Sequence, residues 1–161
     1  MNEPAHTSDR PTLLLIDDCM EQRDLYELAL AQDFKILTAA RGADGIGLAA
    51  MKHPDVIVLD VIMPGLSGWE TCTRLKTDDA TADIPVILLT GTNDPDVSDH
   101  ARAVGASAIL RKPCTGNRLR DAILASLGQS AVRGAHTAEP DHVMSKVVWG
   151  KVGQHRSDGD S

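Results

Sequence analysis

The 161-residue sequence predicts an α/β fold in which a five-stranded parallel sheet lies between two layers of helices. Short aliphatic runs alternate with segments of helical length along residues 12–127. Three of these runs are almost continuously apolar, which is typical of strands buried on both faces of a parallel sheet. Strands that alternate with helices indicate right-handed crossovers and few possible topologies. The flavodoxin-like, doubly wound (βα)5 arrangement with strand order 2-1-3-4-5 is the best candidate.

The aliphatic runs define the predicted strands. They span residues 12–16 (TLLLI), 34–39 (FKILTA), 55–59 (DVIVL), 85–89 (PVILL) and, more weakly, 107–110 (SAIL). A first helix is predicted over residues 19–31, with Leu25, Leu28 and Ala29 on one apolar stripe. A last helix is predicted over residues 117–127, with Thr115 as its N-cap.

The helix and strand pattern stops near residue 129, which predicts three regions. Residues 1–11 form an N-terminal extension, residues 12–128 one domain, and residues 129–161 a flexible tail rich in Gly, Ala, His and Pro. The tail holds one apolar patch, VMSKVVW (143–149), which suits either a partner-docking peptide or incidental hydrophobic residues.

Composition excludes several classes of protein. The net charge is −7 and the acidic excess lies in residues 1–128, which argues against direct binding to nucleic acid. Cys19, Cys72 and Cys114 are far apart and lack metal-site spacing, so we expect reduced thiols. The N-terminus has no apolar signal region, and no apolar run has the length of a membrane span. These features predict a cytoplasmic protein without membrane contact.

Polar side chains close the predicted strands. Asp17 and Asp18 follow the first run, Asp60 the third and Thr90 the fourth, while Lys112 lies two residues past the fifth. Because ligands of open parallel sheets bind at the carboxyl ends of the strands, we expect these five groups to converge there. Each of them alone would be an ordinary loop, strand or surface residue. Their common position at one sheet edge indicates a site.

Three crowded carboxylates repel one another unless a cation joins them. Lys112 offsets one charge, and a hard, oxygen-loving cation such as Mg²⁺ suits the remainder. A carboxylate beside Mg²⁺, a lysine and a hydroxyl can attack phosphorus while the cations stabilise the phosphoryl oxygens. The sequence therefore predicts Asp60 as a nucleophile at a rigid strand end, where Pro64 and Gly65 turn the chain away.

The chain resembles the receiver domain of two-component response regulators over residues 12–127. The matching segments are LLIDD, VLDVIMPGLSGWE, PVILLTG and GASAILRKP, in the family's order and at about its spacing. The resemblance implies that Asp60 is the phospho-acceptor and that Asp17, Asp18, Asp60 and the backbone carbonyl of Ile62 hold Mg²⁺. It further implies that Thr90 and Lys112 bind the phosphoryl group, and that the Lys112–Pro113 peptide bond is cis.

The resemblance also implies partners. The phosphoryl donor would be a histidine kinase or a histidine phosphotransfer protein, and the output would be contact with another protein. The 33 residues after residue 128 are too few for a DNA-binding output domain, which predicts a stand-alone receiver rather than an enzyme.

Three positions depart from the family's pattern. Ile109 replaces the aromatic switch residue usual three positions before the lysine, which changes how Thr90 could signal to the fourth helix. Ile62 is apolar where many relatives are polar, which should alter water access to a phosphorylated Asp60. Cys114 stands where an aromatic residue is common.

Two other functions compete with this prediction. A phosphorylation-independent adaptor could use the same fold, but it would not need the acidic pair, Thr90 or Lys112. A phosphatase of the haloacid dehalogenase type needs a second Asp two residues after the nucleophile, where this chain has Ile62.

Overall fold

The computed structural model describes residues 9–135, and it has five strands that alternate with five helices. The strands are β1 (Thr12–Ile16), β2 (Lys35–Ala39), β3 (Val56–Asp60), β4 (Val86–Thr90) and β5 (Ala108–Arg111). The helices are α1 (Met20–Leu30), α2 (Gly42–Lys52), α3 (Gly68–Thr77), α4 (Val97–Ala103) and α5 (Gly116–Ala135). All strand pairs are parallel and the order is β2-β1-β3-β4-β5. The predicted fold class and strand order are confirmed.

The sheet is buried on both faces, as the continuous aliphatic runs predict. Alternate residues of β3 enter two separate cores, since Ile57 and Leu59 belong to one and Val56 and Val58 to the other. Helices α2, α3 and α4 cover the first core, and α1 and α5 cover the second. Side chains of a strand point alternately to opposite faces, so one short segment serves both cores.

The predicted apolar stripe of α1 is wrong. Leu25 and Leu28 are 66% and 81% exposed, whereas Tyr26 and Leu30 are buried against the sheet. The helix carries apolar residues on two faces, and only the face with the larger Tyr26 meets the second core. The prediction chose the wrong one of two similar stripes.

Helix α5 is longer than predicted. Thr115 accepts a hydrogen bond from the backbone N–H of Arg118 at 3.2 Å, so its predicted N-cap role is confirmed. The helix continues to Ala135 instead of ending at residue 127, because no proline interrupts the chain before Pro140. Residues 129–135 therefore belong to this helix, and residues 136–161, including the apolar patch, lie outside the described residues.

The cysteines and the helices bear on two smaller expectations. Cys19, Cys72 and Cys114 are free thiols. Within residues 9–135, no helix combines the length and the apolar character that a membrane span needs.

Candidate functional site

The predicted site residues meet at the carboxyl edge of the sheet. Asp60 and Thr90 are the last residues of β3 and β4. Asp17 directly follows β1, and Lys112 directly follows β5. Since β1, β3, β4 and β5 are successive neighbours in the sheet, their ends bring these side chains to one place.

Three carboxylates form the floor and rim of this site. Oxygen atoms of Asp17, Asp18 and Asp60 all lie within 4.8 Å of one another. Asp17 is fully buried and Asp60 is 6% exposed, while Asp18 is exposed at the rim. Asp17 Oδ1 accepts a hydrogen bond from the backbone N–H of Cys19, but Oδ2 has no hydrogen-bond partner among the described residues.

This cluster fits a divalent cation. A buried carboxylate oxygen without a partner is costly, because it loses its water and gains nothing in return. Carboxylate oxygens from both exposed and buried positions are the ligands that Mg²⁺ prefers, with water completing its coordination. A metal ion between the three carboxylates would give the orphaned oxygen of Asp17 a partner.

The electrostatics of Asp17 agree with this fit. Burial raises the pKa of Asp17 above its usual value, and the neighbouring Asp60 carboxylate raises this pKa further. The N–H of Cys19 and the ammonium of Lys112 act in the opposite direction without cancelling the effect. Without a metal ion, burial and the neighbouring carboxylate therefore make the charged form of Asp17 less favourable than in water.

Lys112 contacts the acceptor carboxylate directly. Its Nζ donates a hydrogen bond to Asp60 Oδ2 at 2.9 Å and to Gln22 Oε1 at 2.8 Å. The same atom lies 3.9 Å from Asp17 Oδ2. The side chain is only 19% exposed, so its charge acts within the site rather than in bulk water. The Lys112–Pro113 peptide bond is cis, as the resemblance implied.

Thr90 is fully buried at the end of β4. Its Oγ1 accepts a hydrogen bond from the N–H of Thr92 at 3.1 Å, which leaves the hydroxyl hydrogen available to donate. Its carbonyl accepts from the N–H of Lys112 at 2.7 Å. The backbone thus joins the two side chains that were predicted to bind a phosphoryl group.

Two glycines shape the turn that follows Asp60 at the end of β3. Gly65 has a positive φ of 75°, which suits glycine at this turn. A Cβ at Gly68 would lie 2.3 Å from the carbonyl oxygen of Asp60, so only glycine allows the start of α3 to approach β3. Ile62 donates its N–H to Asp60 Oδ1 at 3.3 Å, and the residue is 68% exposed. The metal-binding role of its carbonyl stays a prediction.

Two nearby residues were not predicted from the sequence. Gln22 bonds Lys112, and Arg23 Nη1 donates to the carbonyl of Asp17 at 2.5 Å. Both lie in the first turns of α1, directly after the acidic pair, but the sequence alone does not show which side chains there turn inward. The N-cap residue of α1 is Cys19.

Comparison with known proteins identifies the family. Residues 13–124 match the response regulator receiver domain. The chain is 41% identical over 118 residues to the transcriptional regulatory protein AfsQ1 of Streptomyces coelicolor, covering 73% of this chain and 51% of AfsQ1. It is 32% identical to protein PilH of Pseudomonas aeruginosa, covering 71% of this chain and 96% of PilH.

A solved structure shows the same fold. The crystal structure of a response regulator receiver domain protein from Clostridium thermocellum superimposes with a TM-score of 0.71 at 30% identity. The alignment covers 76% of this chain and 98% of that one. The chain spans about half the length of AfsQ1 and 22% of the response regulator PleD of Caulobacter vibrioides, so it matches one domain of those longer proteins. This chain belongs to the response regulator receiver domain family, the phospho-accepting modules of two-component signalling.

Proposed function

We propose that this receiver domain takes a phosphoryl group onto Asp60 from a phosphohistidine of a histidine kinase or histidine phosphotransfer protein. The phosphorylated domain signals by contact with a downstream protein. Asp60 is the acceptor, Thr90 and Lys112 bind the phosphoryl oxygens, and Asp17, Asp18, Asp60 and the carbonyl of Ile62 hold Mg²⁺.

One observation carries the proposal. The ammonium of Lys112 lies 2.9 Å from Asp60 Oδ2, beside a three-carboxylate cluster that contains an orphaned buried oxygen. An adaptor that binds partners without phosphorylation has no need for such a cluster, which raises the energy of the folded state. A phosphoryl acceptor needs it, because transferred phosphorus carries charge on all its oxygens.

The chain's own residues support an in-line transfer. A carboxylate oxygen of Asp60 attacks phosphorus, the phosphorus–nitrogen bond to the donor imidazole breaks, and its electron pair returns to that nitrogen. Lys112 stabilises the charge on one phosphoryl oxygen, and the Thr90 hydroxyl donates to another. Bound Mg²⁺ would supply a further positive charge at these oxygens. The strand end fixes Asp60, which reduces the entropy lost on reaching the reactive geometry.

Acetyl phosphate, a small donor that needs no kinase, tests this proposal. Intact mass is measured with and without Mg²⁺ for the full chain, for Asp60→Asn and for Asp79→Asn, a control at an exposed turn residue outside the site. We expect one Mg²⁺-dependent, hydroxylamine-labile phosphoryl group on the wild type and the control, and none on Asp60→Asn. An unlabelled wild type would favour the adaptor, and donor hydrolysis without a lasting label would favour a phosphatase.

A further inference from the structure

The ammonium of Lys112 has two partners and one near neighbour. It donates to Asp60 Oδ2 at 2.9 Å and to Gln22 Oε1 at 2.8 Å, and it stops 3.9 Å from Asp17 Oδ2. Lysine has a flexible four-carbon stem and three donor hydrogens, so its position depends on the acceptors that surround it. Gln22 is the only neutral side chain among these three acceptors.

Asp17 Oδ2 is the acceptor that would compete for this ammonium. It is buried and has no hydrogen-bond partner among residues 9–135. A charge-assisted bond from Lys112 to this oxygen would be stronger than the bond to the neutral Gln22 amide, if the stem were free to move. A lysine drawn onto Asp17 would occupy a carboxylate that the metal ion needs.

Gln22 is placed to prevent that movement. It is the third residue of α1, it is partly buried, and its carbonyl oxygen approaches Lys112 from the helix. Because the amide is neutral, it anchors the ammonium without adding a fourth negative charge to the cluster. The helix itself is fixed to the same site by the bond from Arg23 to the carbonyl of Asp17.

We propose that Gln22 is a positioning residue, which holds Lys112 on Asp60 and so keeps Asp17 open to the metal ion. This inference rests on the proposed function for the role of the metal ion, but the contact between Gln22 and Lys112 does not depend on it. In this proposal Gln22 acts through Lys112 and is itself a ligand of neither the metal ion nor the phosphoryl group.

Equilibrium Mg²⁺ binding tests the inference without any phosphoryl transfer. Gln22→Met keeps the length of the side chain and its helix propensity but removes the acceptor. Its matched control is Gln32→Met, an exposed glutamine in the turn after α1. We expect the Mg²⁺ dissociation constant to rise about two- to fivefold in Gln22→Met, the effect of one competing ion pair, and to stay unchanged in Gln32→Met.

A double-mutant cycle shows whether Gln22 acts through the lysine. In a Lys112→Met background no ammonium can compete for Asp17, so adding Gln22→Met should leave Mg²⁺ affinity unchanged. An equal loss of affinity with and without Lys112 would overturn the inference, since it would mean that Gln22 supports the site by structure alone. Unchanged affinity of the single Gln22→Met variant would overturn it as well.

The Mg²⁺ dependence of labelling by acetyl phosphate gives a separate readout. Competition by Lys112 can be overcome with metal, so we expect a raised half-saturating Mg²⁺ concentration in Gln22→Met and a maximal rate within about twofold of wild type. A lower maximal rate at an unchanged half-saturating concentration would contradict the inference. If wild type takes no label at all, the proposed function fails, whereas the binding experiments still decide the role of Gln22.

Discussion

Asp17 is buried with one carboxylate oxygen bonded to a backbone N–H and the other without a partner among the described residues. Asp17→Asn removes one of three mutually repelling carboxylates. We expect the metal-free variant to be more stable than wild type by roughly 1 kcal/mol, the low end of the cost of an unpaired buried polar group. Thermal melts in metal-free buffer measure this difference.

The response to metal supplies the control for Asp17→Asn. For wild type, a cation at about 100 times its dissociation constant adds about 2.7 kcal/mol by mass action. The variant should gain clearly less at the same Mg²⁺ concentration. A variant that melts below wild type without metal, and that responds to Mg²⁺ as wild type does, would show that charge crowding does not dominate this site.

The raised pKa of Asp17 also predicts how stability depends on pH. Between its usual value of 3.8 and the raised value in the folded state, the folded protein binds more protons than the unfolded chain. The contribution of Asp17 to the free energy of unfolding of the metal-free protein therefore rises as pH falls through the raised pKa towards 3.8. Asp17→Asn lacks this contribution, so urea titrations at a series of pH values should show a smaller rise for the variant. Identical pH profiles for the two proteins would contradict this assignment.

Ile62 is the residue expected to control loss of the phosphoryl group. Its exposed, apolar side chain stands two residues after Asp60 and cannot orient a water molecule by hydrogen bonding. Ile62→Asn replaces it with an amide, so we expect faster hydrolysis of the aspartyl phosphate. First-order decay after donor removal, at one Mg²⁺ concentration, measures the effect. Unchanged or slower decay would show that Ile62 does not control this hydrolysis, and residues near Thr92 would be tested next.

At the scale of elements, the sequence pattern predicted the strand boundaries well but not the buried face of α1. The strands were predicted within one residue at each end, because the aliphatic runs are buried on both faces and end on polar residues. The buried face of α1 was not predicted correctly, because the helix has two apolar stripes. One contains Leu25 and Leu28, and the other, which is the buried one, contains Tyr26 and Leu30. Only the packing of α1 against α5 and the sheet decides between them.

The exposed face of α1 lies beside the phospho-acceptor site. A groove of about 370 Å³ runs between α1 and the start of α5, and Gln22, Leu25 and Pro113 line it. Gln22 also bonds Lys112, so a protein that brings a histidine to Asp60 would cover this groove. We expect Leu25 and Leu28 to contact the phosphoryl donor.

Leu28→Asp tests this contact. The side chain is 81% exposed, so stability should stay within about 0.5 kcal/mol of wild type. We expect slower labelling from a phosphorylated histidine protein and an unchanged rate from acetyl phosphate, which needs no docking surface. Met51→Asp, 75% exposed on α2, is the matched control. Equal effects of the two substitutions would show that the α1 face is not used.

A second element departs from the family's pattern. Ile109 of β5 packs partly buried against the first core and offers no ring to the site. Trp69 of α3 instead stacks on His100 of α4, with ring centroids 4.0 Å apart and planes 11° apart. This stack joins α4 to α3, the helix that follows the loop after Asp60.

At the scale of the whole molecule, the site follows from the topology. Strand order and parallel pairing together place the ends of β1, β3, β4 and β5 side by side, so the fold class and the acidic cluster could be predicted from the sequence. The contact between Gln22 and Lys112 could not, since it depends on helix rotation and side-chain rotamers. The continuation of α5 past residue 127 could not either, because residues 128–135 include Gly128 and Gly134 and carry no apolar period.

The identity of the modified residue tests the central claim most directly. Borohydride reduction converts an aspartyl phosphate to homoserine, which peptide mass mapping assigns to one position in the chain. After labelling with acetyl phosphate and Mg²⁺, we predict homoserine at position 60, with Asp17 and Asp18 unmodified and no homoserine when Mg²⁺ is withheld. Homoserine at position 17 or 18, or its absence from a labelled protein, would contradict the assignment of Asp60 as the phospho-acceptor.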